Sequence, residues 1–253
     1  MWKVEKMKYQ TKVSKMKKFE KGLEHTIHGE KLSDLVGEIS FSSGIFFLLS
    51  GRKPNEIEGK LFDAMLLSII DHGMGTLSSM ATRFVASGRT GMSSAVAAGM
   101  LSIGDLHGGA MQKAMEQYEQ LHSMSEEERV AVVTDMIRDK KLIYGFGHKV
   151  YKSGDPRVRV LLELVSSLGY KSRHLFIKDF IEGTFSEVKG KVLHMNIDGV
   201  IALLLLDFGF DARLSKGIFL IGRCAGLVAQ ANEEMVSERA VRRVPEEMIE
   251  DMR

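Results

Sequence analysis

The chain has 253 residues, 44% of them hydrophobic, enough for one large domain or for two unequal lobes around a shared core. Its net charge of +2 is uneven, because residues 1–21 carry eight lysines against two glutamates (+6) and the remainder carries −4. A body of that charge does not offer the basic surface that nucleic-acid binding needs. The lysine-rich arm reads as a solvated segment, with phosphate groups or a membrane surface as the rarer partners. The single cysteine, Cys224, forms no internal disulfide and excludes a cysteine-based metal cluster, which points to a reducing, cytoplasmic setting. The longest apolar run, Val200 to Leu206, is far short of the ~20 residues that span a bilayer, and no signal-peptide pattern follows the N-terminus. No membrane insertion is expected.

Three prolines against 16 methionines, with alanine and leucine abundant in the apolar segments, predict an all-α fold. After the basic arm, "LSDLVGEISFSSGIFFLLSGRKP" is too densely apolar for a surface helix and stops at Gly51, with Pro54 just beyond. "NEIEGKLFDAMLLSIIDHG" follows, with Asn55 as N-cap, and delivers Asp71-His72-Gly73 at a helix end. "SSAVAAGMLSIGDLHGGAMQKAMEQYEQL" reads as two helices joined through Gly104 to Gly109, with His107 in the hinge. The charged "SMSEEERVAVVTDMIRDKK" places Ser125 and Glu128 in capping-box spacing and marks a change of environment. Pro156 suits a first helical turn behind an Asp155 N-cap. "VLHMNIDGVIALLLLDFGF" starts a buried helix at Asn196 or Asp198. In the last long helix Gly222 and Gly226 are spaced for close backbone approach.

Polar residues beside glycine at element ends are the candidates for chemistry. His72 lies in "DHG", His107 in "LHGG" and His148 in "GFGH". Singly, each reads as a hydrogen-bonded structural histidine; three together exceed what turn chemistry requires. Asp198 is either a plain N-cap or a carboxylate whose pKa desolvation raises. Arg223, mid-helix between "GIFLIG" and "CAG", needs an anionic partner, either an internal carboxylate or a substrate, and Arg157 raises the same question at its helix start. No His-x3-His pair or carboxylate at ligand spacing supports a metal site. There is no Gly-x-Ser-x-Gly elbow for a hydrolase, and "GFG" is too short for a dinucleotide fingerprint.

"DHGMG", "GDLHGGAM", "GFGHKVYKSGDPRV" and "MNIDGV", in that order, resemble the citrate synthase superfamily from about Gly37 to Glu234. "AAGMLSIGDLHGGA", "NIDGVIALLLLDF" and "GIFLIGRCAG" are similar to its citryl-CoA lyase branch, which includes the lyase module of ATP citrate lyase. The resemblance implies a mostly helical, two-lobed fold: a large lobe of residues 1–108 and 201–253, with the basic arm at 1–21, and a small mobile lobe of residues 109–200. It also implies a homodimer joined by antiparallel helices.

The activity so implied is retro-Claisen cleavage of citryl-CoA to acetyl-CoA and oxaloacetate. No cofactor is tightly bound, coenzyme A entering as the substrate's thioester, and a separate enzyme supplies citryl-CoA. By the same resemblance Asp198 matches the carboxylate that exchanges a proton with the thioester methyl. His107 matches the donor to the enol oxygen, and His148 the group that exchanges a proton with the ketone or hydroxyl oxygen. His72, Arg157 and Arg223 match residues that hold oxaloacetate, and the Gly145-Phe146-Gly147 turn would meet CoA, with Lys149 and Lys152 near its phosphates. Three departures stand out: the chain runs through "ERAVRRVPEEMIEDMR" where synthases carry Arg-Pro and Tyr-x-Gly motifs, His107 is a synthase-like feature that the ATP citrate lyase module lacks, and Gln230 replaces a common histidine. The rival readings are a short citrate synthase, a related condensing enzyme acting on another 2-oxo acid, and a non-catalytic CoA-binding protein.

Overall fold

The computed structural model describes residues 10–20, 22–148, 151 and 153–250. The chain is predominantly helical, as its composition indicates, with a small sheet that the sequence reading did not anticipate. Contacts divide it into two compact units, residues 1–63 and 64–253, the division falling inside one helix.

In the first unit, strands β1 (Ser14–Phe19) and β2 (Gly22–Ile27) pair antiparallel, Ser14 opposite Ile27 and Phe19 opposite Gly22, and the short β3 (Glu30–Lys31) pairs with β2. Part of the supposed solvated arm is therefore a strand. The period-2 alternation of Val13, Lys15, Lys17 and Phe19 with their neighbours is short and dominated by lysine, so helical composition masked it. The ammonium groups of Lys17 and Lys31 lie 5.2 and 4.6 Å from the Phe19 ring centroid, and Thr26, buried, donates to the Lys15 carbonyl at 3.0 Å.

The run expected as one buried helix is a single turn, α1 (Leu32–Leu35), a break, and α2 (Phe41–Ser50). Ser40 caps α2 by accepting the Ser43 N–H at 3.1 Å, and Gly51 at φ 78° ends it in the left-handed conformation. Helix α3 (Glu56–Ser68) starts on reciprocal bonds of 2.9 Å, Glu58 N–H to Asn55 Oδ1 and Asn55 N–H to Glu58 Oε2. Arg52 holds Glu58 in a bidentate pair at 2.7 Å.

The second unit contains α4 (Leu77–Ser87), α5 (Met92–Leu101), α6 (Ala110–His122), α7 (Glu126–Arg138), α8 (Pro156–Ser167), α9 (Phe176–Lys189), α10 (Ile197–Asp207) and α11 (Ala212–Ser237). Of these, α4 and α9 carry no element in the sequence reading. The capping box at Ser125 and Glu128 and the Asp155–Pro156 helix start form as the sequence suggests. Helix α10 is the core: every residue from Gly199 to Leu206 is buried, against α6 and α8, each leucine there contributing about 1.5–3 kcal/mol on leaving water. Its apolar residues surround the helix, so only its ends are free to carry chemistry.

Helix α4 is turned inside out relative to hydropathy. It buries Ser78, Ser79, Thr82, Arg83, Ala86 and Ser87 while leaving Leu77, Met80 and Phe84 exposed at 52%, 41% and 50%. Small inward side chains let α5 approach closely, with Gly99 set against Thr82 and the Ser78 carbonyl. The long α11 packs on α4, α5 and α6. Beyond it the chain returns to α4, where the Val241 N–H donates to the Ser87 carbonyl at 2.9 Å. There Glu234, fully buried, sits between Arg83 (2.9 Å) and Arg242 (2.6 Å).

Candidate active site

The site begins where two glycine-bearing segments touch. The Gly145-Phe146-Gly147 turn is strapped to the entry of α10: Asn196 N–H donates to the Gly145 carbonyl at 2.9 Å, Gly147 N–H to the His194 carbonyl at 2.8 Å, and Asn196 Nδ2 to the Gly147 carbonyl at 2.8 Å. Gly145 has φ +79°, and a Cβ there would lie 2.6 Å from the Gly199 Cα and collide with the Tyr118 hydroxyl. Any side chain there must displace that backbone, so glycine is the residue that fits without strain. Asn196, not Asp198, is the N-cap of α10, accepting the Gly199 N–H at 3.2 Å. Asp198 is thereby free of capping duty, two residues into the helix.

His148 leaves this turn with its Nδ1 accepting the Tyr151 N–H at 3.1 Å and its ring stacked 4.7 Å from the Tyr151 ring. A backbone N–H only donates, so a neutral His148 carries its proton on Nε2. The His72 ring, beyond the end of α3, stands edge-on to His148 at 5.7 Å. His107, in the hinge between α5 and α6, accepts the Ser78 N–H on Nε2 at 3.3 Å and lies 2.9 Å from the Ser78 hydroxyl. The same reasoning puts the proton of a neutral His107 on Nδ1, which no described residue engages.

Burial, modulated by neighbouring charges, sets the protonation of these groups. Burial, then the charges of Arg157, Arg223 and His148, pushes the pKa of His72 below the ordinary histidine value. Burial, then Arg223 and His72, does the same to His107. Both rings are therefore neutral at neutral pH. The Asp198 carboxyl moves up: burial outweighs the pull of Arg157 and Arg223, and the Asp155 charge adds to the rise.

Arg223 is 3% exposed; its Nε donates to the Ile69 carbonyl at 2.9 Å and its guanidinium lies 5.0 Å from the Phe219 ring centroid. Its Nη1 is buried without a hydrogen-bond partner among the described residues. Burial lowers its pKa, while Asp71 and Asp198 oppose that shift.

Arg157 is more fully occupied. Its Nε and Nη2 donate to the two oxygens of Asp155 at 3.0 and 2.7 Å, and its Nη1 to the Ser68 carbonyl at 3.1 Å. Burial disfavours the Asp155 charge, but the hydrogen bonds and charge of Arg157 overcome it and hold that carboxyl below the usual range.

His72, His107, His148, Asp198, Arg157 and Arg223 thus form one coupled group, with Gly145, Phe146 and Gly147 along its α10 side. Lys149 and Lys152 lie outside the described residues. Among the described residues no cluster of three histidine, cysteine, aspartate or glutamate side chains is arranged to hold a metal ion, and no helix is long and apolar enough to cross a membrane. The sequence reading missed Ser78, Asp71 and Tyr118. Ser78 had no local signal, since its value comes from facing a histidine 29 residues on. Asp71 adjoins a candidate histidine, and its role comes from Arg223 and Gln230, which only the fold brings to it.

A set of two neutral imidazoles, an elevated carboxyl and two arginines suits proton exchange at carbon beside a carboxylate-bearing substrate. Comparison with known proteins agrees on the lineage. The citrate synthase C-terminal domain family matches residues 7–244. The structure of citryl-CoA lyase from Hydrogenobacter thermophilus superposes with a TM-score of 0.88 at 37% identity, over 96% of this chain and 93% of that one. Citrate synthase from Thermotoga maritima gives a TM-score of 0.67 at 26% identity, over 85% of this chain and 59% of that one. Citrate synthase of Heyndrickxia coagulans is 29% identical over 223 residues, 86% of this chain and 58% of that one. The chain spans a little over half the length of the first curated relatives it matches. With the family's domain matched along nearly the whole sequence and its fold reproduced, the chain belongs to the citrate synthase family.

Proposed function

We propose that this chain is a citryl-CoA lyase, cleaving citryl-CoA to acetyl-CoA and oxaloacetate with the CoA thioester as substrate and no tightly bound cofactor. The observation that carries this reading is the likeness to the Hydrogenobacter lyase, higher in both identity and TM-score than that to the Thermotoga synthase.

In the cleavage direction the citryl hydroxyl gives its proton to His148 Nε2 as the carbon–carbon bond breaks, a step that uses the tautomer with the ring proton on Nδ1 and so releases the Tyr151 N–H contact. The ketone of oxaloacetate forms, and the bonding pair passes to the acetyl fragment as an enolate. His107 Nδ1–H hydrogen-bonds the enolate oxygen, a role that a neutral imidazole fixed through Nε2 performs without recruiting a solvent proton. The Asp198 carboxyl then protonates the methylene carbon to give acetyl-CoA, and its raised pKa favours the protonated form that this step consumes. His72, Arg157 and the unpartnered Nη1 of Arg223 bind the oxaloacetate portion, and Gly145 to Gly147 meet the CoA arm. Lys149 and Lys152 belong to the CoA side of this reading.

Residues 109–200 form the lobe that closes over substrate and excludes water. The exposed apolar stripe of Leu77, Met80 and Phe84 on α4 supports a homodimer built on that helix. A separate citryl-CoA-forming enzyme supplies the substrate, in a cytoplasmic setting.

A second reading, citrate synthase, has a specific support: the Tyr151 N–H contact leaves the His148 proton on Nε2, the state that donates to a ketone in condensation. Incubation with citryl-CoA, and separately with acetyl-CoA plus oxaloacetate, distinguishes the two. Rapid cleavage in the first and little free CoA in the second is expected; free CoA released in the second with poor cleavage in the first overturns the lyase reading.

A further inference from the structure

The segment that carries His72 is gripped by one face of α11. A Cβ at Gly222 would strike Ile69 at 2.7 Å, and one at Gly226 would strike the Ile70 carbonyl and the Asp71 carboxylate. Between them Arg223 Nε binds the Ile69 carbonyl at 2.9 Å. One turn beyond Gly226 on that face comes Gln230. Its Nε2 donates to Asp71 Oδ2 at 3.2 Å, and its Oε1 accepts from Arg83 Nη1 at 2.8 Å.

The orientation of this amide is not free. A guanidinium only donates, so Arg83 takes the carbonyl oxygen of Gln230 and leaves the NH2 group for Asp71. Arg83 is itself immobilised, 3% exposed and ion-paired to Glu233, Glu234 and Glu238. The same Asp71 oxygen also receives the Gly73 N–H at 3.0 Å, which closes a turn with His72 at its centre. His72 is thus bracketed: the residue before it is bound to α11, and the residue after it is bound back to that same carboxylate.

We infer that Gln230 is a positioning residue for His72, its Arg83-locked amide fixing the Asp71–Gly73 turn that presents the imidazole to substrate. The substrate part of this inference rests on the function proposed above; the geometric part does not. Neither Gln230 nor Arg83 belongs to the catalytic group, so both act only through the turn.

The test uses the full chain with Gln230→Glu and Gln230→Leu. The first keeps an acceptor for Arg83 but sets a carboxylate against Asp71; the second removes both contacts. Three quantities are read: the His72 ring resonance, assigned by its loss in His72→Asn; the KM and kcat for citryl-CoA; and the thermal midpoint. A hydrogen bond to a charged group is worth enough that a KM rise of about tenfold is expected, with kcat within about twofold and a displaced His72 resonance in both variants. Wild-type resonance and KM in either folded variant overturns the inference, even if the thermal midpoint has fallen. If the wild-type protein does not turn over citryl-CoA, the function proposed above fails while the His72 resonance still decides the role of Gln230.

Discussion

The contact between the Gly145 turn and the start of α10 can be broken by one methyl group, and a second glycine two residues away supplies the control. Gly145 and Gly147 have similar left-handed conformations, φ +79° and +74°. Alanine at either costs about 1–2 kcal/mol for that backbone alone, and the entropic gain from reducing unfolded-chain freedom is the same for both. They differ in surroundings. Among the described residues a Cβ at Gly147 meets the Leu193 Cδ1 at 3.4 Å, whereas one at Gly145 meets the Gly199 Cα at 2.6 Å and N at 3.2 Å, backbone that cannot step aside. Overpacking of that kind adds about 1–3 kcal/mol. Gly145→Ala should therefore be less stable than Gly147→Ala by about 1–3 kcal/mol in urea unfolding followed by far-UV circular dichroism. Because the Gly145 carbonyl anchors Asn196, it should also raise the KM for the CoA thioester more than its neighbour does. Equal destabilisation of the two variants would refute the close-approach argument and leave only the left-handed backbone as the reason for glycine.

Asp198→Asn should lower turnover by about 10²–10⁴-fold without loss of thermal midpoint. A carboxyl whose folded pKa lies above its unfolded value loses stability as pH rises from the unfolded value toward the folded one, so the neutral amide removes a penalty at pH 7. A fall in midpoint with normal activity per folded molecule would show a structural role instead. Because His107 and His72 are both depressed by burial first, their ring resonances should titrate below the ordinary histidine value of about 6.5; titration at or above it contradicts neutral rings held by burial. Glu234→Ala strands the buried Arg83 with partial compensation from its exposed partners, and should cost about 3 kcal/mol in urea unfolding. A change within experimental error would mean that Glu233 and Glu238 suffice.

What the sequence disclosed was the part written in local chemistry. Asp155-Pro156, Ser125 with Glu128, Asn55 and Gly51 announce helix ends through short-range bonds, and each end is where those residues put it. Helix α4 was illegible for a physical reason: its buried face is, apart from the ion-paired Arg83, made of small polar residues and alanine, and its exposed face is apolar, so a hydropathy pattern points the wrong way. The hairpin over Ser14–Phe19 and Gly22–Ile27 was hidden by its lysines. In the site, glycine beside histidine marked the right loops. The partners that set tautomer and orientation, Ser78 for His107 and Gln230 for Asp71, lie 29 and 159 positions away, and nothing short of the folded chain brings them into view.

The start of α8 has a further implication. Asp155 caps that helix through the Arg157 N–H at 3.0 Å and neutralises the Arg157 side chain with the same carboxylate. An incoming carboxylate that recruits the guanidinium bids for an ion already in service, so affinity for the ligand and the firmness of the helix end are two readings of one electrostatic balance. On the function proposed above, a substitution that tightens the pairing of Arg157 with Asp155 leaves the guanidinium less available to a substrate carboxylate.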